Sequence, residues 1–173
     1  MPARAAIDRF TLSARFSLRH EERSYAGLLA WRHLPGSDEL MLASPLGQGL
    51  AEVRSEAGSA RLIASDGTTR QAADVSTLLH EALGFPLPVA QLADWLLGRI
   101  DPQRGRVTSD ALGRPVRAVL EGWQVGYEYP DEDPQALPQG LRIEGADGFD
   151  LRLRIDDWGV AESGSAGTGG GDE

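Results

Sequence analysis

From Phe10 to Leu18 every even position is apolar and every odd position is polar. The even set is Phe10, Leu12, Ala14, Phe16 and Leu18; the odd set is Thr11, Ser13, Arg15 and Ser17. A repeat of two turns one side of an extended chain toward a core and the other toward water, and a helix cannot satisfy it. The chain is therefore bound to begin as a half-buried β-strand, and the next segments multiply it. Ser24–Arg32 reads as a second strand with apolar residues on both faces, after a turn at "HEER" (His20–Arg23). Glu39–Ser44 and Gly49–Glu56 come after the Pro-Gly turn in "LPGSD", and Ala60–Ser65 comes after "AGS". Asp66-Gly67 then gives a hairpin signal.

The period then changes. Val75, Leu78, Leu79, Ala82 and Leu83 are spaced for one face of a helix, with Asp74 as N-cap and Gly84 as stop. Val89, Leu92, Ala93, Leu96 and Leu97 form a second such face, opened by Pro88 and closed by Gly98. Strands resume at Arg114–Glu121, Trp123–Tyr129, Leu141–Glu144 and Phe149–Ile155. About ten consecutive strands joined by short turns make an antiparallel sheet, and a sheet that long curls. The two helices need an apolar surface, and the concave side of that sheet supplies it. The expected fold is mainly β, one domain over residues 1–158, with a disordered Gly/Ser-rich tail over 159–173.

Composition narrows function by exclusion. There is no cysteine, so there is no disulfide, thiolate metal site or cysteine nucleophile. A net charge of −9, with the basic residues scattered singly, argues against nucleic acid and against charge-driven attraction to an anionic membrane. No apolar run approaches the length of a membrane-spanning helix, and the start of the chain lacks a signal-peptide apolar region. His20, His33 and His80 stand in unrelated contexts, and "HEERS" has Ser24 where a zinc-protease motif needs histidine. "DEDP" (Asp131–Pro134) has neither the length nor the glycine of a calcium loop. Asp156 and Asp157 are expected to face opposite sides of a strand, which defeats a catalytic pair. No Ser/His/Asp set declares itself. Neither enzyme activity nor a cofactor or metal is expected.

Two features leave a choice open. Trp31, Trp95, Trp123 and Trp158 are either core anchors or walls of a cavity for an apolar ligand. Ser44-Pro45-Leu46-Gly47 has the preferred residues of a type I turn. Its leucine either folds back onto the sheet or stands out as an apolar tip for a membrane or partner.

The order of the pieces resembles a known family. "YAGLLAWRH", the turn "SPLGQG", "RLIASDGTTRQAADVSTLLHEALGFPLPVAQLADWLLG", "WQVGYEY", "ALPQGLRIE" and "DLRLRIDDW" are similar, in that order, to LolB, the outer-membrane lipoprotein receptors of Gram-negative bacteria. The likeness runs from about Ser13 to Trp158. It implies an incomplete antiparallel β-barrel of ten or eleven strands with a helical lid over an apolar cavity. It implies a monomer that accepts lipoproteins from the periplasmic carrier LolA and releases them into the inner leaflet of the outer membrane. The partners are thus the carrier, the acyl chains and the lipid, without nucleotide or metal. Pro45, Leu46 and Gly47 match the family's protruding loop. Candidate cavity residues are Phe16, Trp31, Leu42, Leu78, Leu92, Trp95, Leu96, Tyr127, Ile143 and Leu153. Family members normally carry a signal peptide and an acylated N-terminal cysteine; neither is in this sequence, which suggests a trimmed soluble form or an unanchored homologue. The rival readings are a LolA-like soluble carrier and a hydrolase on a similar barrel.

Overall fold

The structure, a computed structural model, describes residues 7–84 and 89–162. Six strands come first: β1 (Ile7–His20), β2 (Arg23–Leu34), β3 (Ser37–Ala43), β4 (Gly49–Glu56), β5 (Ser59–Ala64) and β6 (Thr69–Ala72). Two helices come next, α1 (Val75–Leu83) and α2 (Val89–Leu96). Five strands complete the chain: β7 (Gly105–Ser109), β8 (Pro115–Leu120), β9 (Trp123–Glu128), β10 (Gly140–Glu144) and β11 (Asp150–Glu162). All eleven strands join one antiparallel sheet in the order β6-β5-β4-β3-β2-β1-β11-β10-β9-β8-β7. The sheet is not closed: β6 and β7 are its two edges, and the helices lie between them in sequence.

The period-two pattern does what it dictates. In β1, Phe10, Leu12, Ala14 and Leu18 are buried while Thr11, Ser13, Arg15 and Ser17 are exposed. The same inner face takes Leu29 and Trp31 from β2, Val53 from β4, Ala118 and Leu120 from β8, and Ile143 from β10, all in one apolar cluster. The apolar sides of α1 and α2 pack onto that cluster through Val75, Leu78, Leu79, Val89, Leu92, Ala93, Trp95 and Leu96. Trp31 and Trp95 are buried, whereas Trp123 and Trp158 pack against the core while partly exposed. The indole of Trp31 donates to Asp38 at 2.8 Å and that of Trp158 to the Pro138 carbonyl at 2.8 Å, so neither buries a bare N–H.

Helix α1 starts as its sequence requires. The Asp74 carboxylate accepts the Thr77 backbone N–H at 2.7 Å, and Gly84, at φ +78°, ends the helix in the left-handed region. Hydrogen bonds from Thr77 hold the Asp74 carboxyl below its ordinary value, outweighing the small opposing effect of burial. A carboxylate whose folded pKa is depressed stabilises the fold above its unfolded pKa, and that contribution disappears as pH falls through the folded value. Asp74→Ala is therefore expected to cost about 1 kcal/mol at neutral pH. The difference from the parent should stay whole down to about pH 4 and close below it, as urea unfolding between neutral pH and about pH 2 will show.

The structure corrects several sequence expectations. The turn at "HEER" shrinks to Glu21-Glu22, because β1 runs through a buried His20 and Glu21 adopts φ +56°. The domain does not stop at residue 158: β11 continues to Glu162, pairing with β1 as far as Ile7. Pro88 and residues 163–173 lie outside the described residues, as do the side chains of Ala82 and Leu83. Strand β7 was not foreseen; four of its five residues are exposed. Asp156 and Asp157 do not face opposite sides. The register with β1 shifts between Ser13 and Ala14, so one extra residue is inserted between inward-facing Ile155 and Trp158, and both aspartates emerge on the outer side. Asp156 there pairs with Arg15 at 2.8 Å.

One organising residue gave no local signal. Arg114, only 7% exposed, donates to Asp110 at 3.0 Å and to the Asp131 and Asp133 carbonyls at 2.6 and 3.2 Å. Its guanidinium lies 4.3 Å over the Tyr129 ring. It thereby fixes the proline-rich loop between β9 and β10. Burial would raise the Asp110 carboxyl, but the Arg114 and Leu112 hydrogen bonds and the Arg114 charge outweigh it and hold the group below its usual range.

Candidate functional site

The loop between β3 and β4 is built to hold one side chain outward. Ser44, Pro45, Leu46 and Gly47 form the turn, with the Gly47 N–H donating to the Ser44 carbonyl at 2.8 Å. Gly47 sits at φ +92°, which any larger residue there would strain. The Ser44 N–H donates to the Gln48 carbonyl at 2.8 Å, and the Gln48 N–H to Ser44 Oγ at 3.1 Å. The turn is therefore held by Ser44, Gly47 and Gln48 without help from the leucine side chain. Leu46 is 94% exposed.

The ten candidate cavity residues are brought together. Eight of them belong to the buried cluster between sheet and helices, and Phe16 and Leu42 pack against it. Phe16 lies opposite Leu153, Leu153 opposite Leu141, and Leu141 opposite Tyr127, forming a row across four strands. Leu78, Leu96 and Ile143 are completely buried, while Phe16 and Leu42 alone of the ten keep partial exposure. The position of these two is informative. The Phe16 ring lies over Gly27, where an added Cβ would overlap the Ala43 carbonyl oxygen and come within 3.2 Å of the ring. Leu42 is paired with Leu29 on the next strand and precedes the Leu46 tip by four residues. The two half-buried candidates thus lie near the foot of the protruding hairpin.

The helices are tied to the sheet by a few polar contacts. The buried Tyr127 hydroxyl donates to the Trp95 carbonyl at the end of α2, at 2.7 Å. The Val89 N–H at the start of α2 donates to Ser76 Oγ of α1 at 3.1 Å. Arg99, just beyond α2, donates to the Ile7 carbonyl of β1 and to Asp94.

The outer side of the sheet has a different chemistry. An open groove of about 660 Å³ lies over Gly126 and Gly140, rimmed by Arg15, Arg142, Arg152 and Arg154. Three of these arginines already pair with Asp156 or Asp150 at 2.8–3.5 Å. Burial would raise the Asp150 carboxyl, but Arg142 and Arg152 more than compensate and lower it. The same groove is also lined by Phe16, Tyr127, Leu141 and Leu153 of the row across four strands. Among the described residues one group could present ligand atoms to a metal: His20, Glu21 and Asp147, within 4.8 Å of one another. Its two carboxylates are exposed on facing turns. No described helix is long and apolar enough to cross a membrane.

Known proteins match this arrangement. The profile of the family described as "Outer membrane lipoprotein LolB" matches residues 8–158. The outer-membrane lipoprotein LolB of Dechloromonas aromatica (strain RCB) is 40% identical over 154 residues, 86% of this chain and 80% of that protein. The LolB of Thiobacillus denitrificans is 39% identical over 163 residues, covering 91% of this chain and 86% of the relative. That of Pseudomonas aeruginosa (strain LESB58) is 32% identical over 154 residues, covering 88% and 75%. In fold, the chain is similar to a putative outer membrane lipoprotein-sorting protein domain from Vibrio parahaemolyticus, with TM-score 0.54, 10% identity and coverage of 88% and 85%. It is also similar to a DUF1329 family protein from Desulfovibrio piger, with TM-score 0.55, 9% identity and coverage of 91% and 87%. These two likenesses concern the fold. The family profile and the relatives, matching nearly all of the strands and both helices described above, establish that the chain belongs to the outer membrane lipoprotein LolB family.

Proposed function

We propose that the chain accepts the acyl chains of lipoproteins from a LolA-like periplasmic carrier, shelters them between its inner sheet face and its two helices, and delivers them to the inner leaflet of the outer membrane. The observation that carries this reading is the Leu46 tip, 94% exposed and joined through β3 to the half-buried Leu42. A storage site alone has no use for an apolar point in water. A delivery site needs one beside the place where the cargo leaves.

The energetics favour direct hand-over. Each buried CH₂ contributes about 0.8 kcal/mol, so a ~16-carbon chain resists release into water by roughly 13 kcal/mol. Passage from one apolar surface to another avoids that barrier, and a difference of ~1.4 kcal/mol between donor and acceptor already gives a tenfold bias. No nucleotide or metal is required for such a step.

The test is a transfer assay. The chain, loaded with a triacylated lipoprotein, is mixed with phospholipid vesicles and the vesicles are floated. Cargo moving to the vesicle fraction supports the receptor reading. Cargo that stays with the protein while vesicles are in excess overturns it in favour of a soluble carrier. The exposed Leu46 favours the first outcome.

A further inference from the structure

Among the described residues seven large apolar side chains are exposed, and three of them share one hairpin: Met41 at 57%, Leu46 at 94% and Leu50 at 46%. Met41 lies on the outer side of β3, since its neighbours Leu40 and Leu42 face the core cluster. On the same side, Leu28 of β2 stands opposite Ala43, and Ile63 of β5 stands opposite Glu52, which itself faces Met41. Leu28, Ala43 and Ile63 are partly exposed. An apolar strip, interrupted by Glu52 between Met41 and Ile63, therefore runs from the Leu46 tip down the outer face of β2–β5. We propose that this strip, led by Leu46, is a docking face for an uncharged or zwitterionic phospholipid surface, so that the protein lies tilted on its β2–β5 side instead of standing on the loop alone. This rests on the delivery role given to Leu46.

Three observations select lipid as the occupant. First, the strip is continuous with the tip. Second, three of the four N–H groups of residues 44–48, those of Ser44, Gly47 and Gln48, donate inside the turn, and the Ser65 N–H donates to the Leu50 carbonyl at 3.0 Å. An apolar medium offers no replacement partners, so a segment entering one must close its own hydrogen bonds. Third, the two glutamates nearest Met41 have internal partners, Glu52 with Arg54 at 2.7 Å and Glu39 with Arg32 at 3.8 Å. The hollow next to Met41, about 220 Å³, is bordered by Glu39, Glu52 and Asp157, with Arg32 beside them. Three carboxylates against one guanidinium leave that border acidic, which disfavours an anionic headgroup.

The chain has no cysteine, so single labels are unambiguous. Environment-sensitive probes are placed on Met41→Cys, Leu50→Cys and Leu46→Cys, with Val119→Cys, exposed on the outer side of β8, as reference. Each is mixed with phosphatidylcholine vesicles carrying spin-labelled lipid. Quenching at 46, 41 and 50, but not at 119, supports the tilted face. Quenching at 46 with 41 and 50 as unaffected as 119 overturns it and leaves the delivery role of Leu46 intact. Absence of quenching at 46 overturns both. Protection of the probe at 41 that depends on protein concentration without vesicles overturns it in favour of self-association. In parallel, M41Q/L50Q is expected to lower vesicle partition about tenfold, the loss of ~1.4 kcal/mol of apolar transfer, with the melting curve unchanged. Addition of phosphatidylglycerol should not strengthen binding; a strengthening abolished by salt would overturn the assignment to uncharged lipid.

Discussion

Leu46→Glu is expected to fold and to bind acyl chains normally yet to deliver cargo to membranes roughly 10- to 100-fold more slowly. The size comes from the ~1.5–3 kcal/mol that a leucine gains on leaving water, at ~1.4 kcal/mol per tenfold. Folding is spared because the side chain touches almost nothing: it is 94% exposed, and the turn is held by Ser44, Gly47 and Gln48. Circular dichroism and a thermal melt should match the parent, and the flotation assay should show cargo retained on the protein. Normal delivery by the variant would remove the role assigned to Leu46. The same magnitude says what the residue cannot do. One leucine biases an encounter with lipid, but it does not hold an 18.6 kDa protein at a membrane.

Trp31→Ala should have the largest effect on stability, about 3–5 kcal/mol. Trp31 is 2% exposed, sits edge-on to Phe10 with ring centroids 5.3 Å apart, and is tied to Asp38 by its indole N–H. Removing it opens a void between β1 and β3 and leaves Asp38 with only the His33 contact at 2.6 Å. The melting temperature should fall by roughly 6–20 °C for a chain of this size. Phe16→Ala and Leu42→Ala offer the contrast. Both positions are only half-buried, so their cost in stability should be clearly smaller, while acyl-chain affinity measured by displacement of a fluorescent fatty acid should drop more than in Trp31→Ala corrected for folding. If all three variants lose stability equally and affinity not at all, Phe16 and Leu42 are core and line no binding surface.

The sheet and the helices were legible because each has one buried face with a regular period. Leu12, Ala14 and Leu18 alternate with exposed neighbours, and Val75, Leu78 and Leu79 recur at helical spacing. Strand β7 escaped because "GRVTS" has a single large apolar residue, Val107, and an edge strand needs only one pairing partner to form. The Asp156–Asp157 bulge escaped because the extra residue is defined by its register against β1, far away in sequence. Arg114 escaped for a similar reason: the carbonyls it satisfies, at Asp131 and Asp133, come 17 and 19 residues later. Local residues made the turn at Leu46 readable as a turn but not the exposure of its leucine, which the likeness to the family's protruding loop supplied. Met41 and Leu50 were likewise invisible as a surface, since only the pairing of β2 to β5 brings their neighbours alongside.

The two free edges of the sheet, β6 and β7, are joined in sequence by the very segment that contains α1 and α2. The helical cover is therefore tethered by the chain to both open edges of the sheet, like a buckle sewn between the two ends of a belt. Only Ala73 and Asp74 separate β6 from α1, while eight residues separate α2 from β7, so a movement of the helices draws first on the β6 edge. A bulkier cargo held under the helices is therefore expected to load the two short edge strands, each of which has a neighbour on one side only. Amide exchange at Thr69–Ala72 and Gly105–Ser109 should quicken when the protein fills, while the central β1–β11 pairing keeps time unchanged.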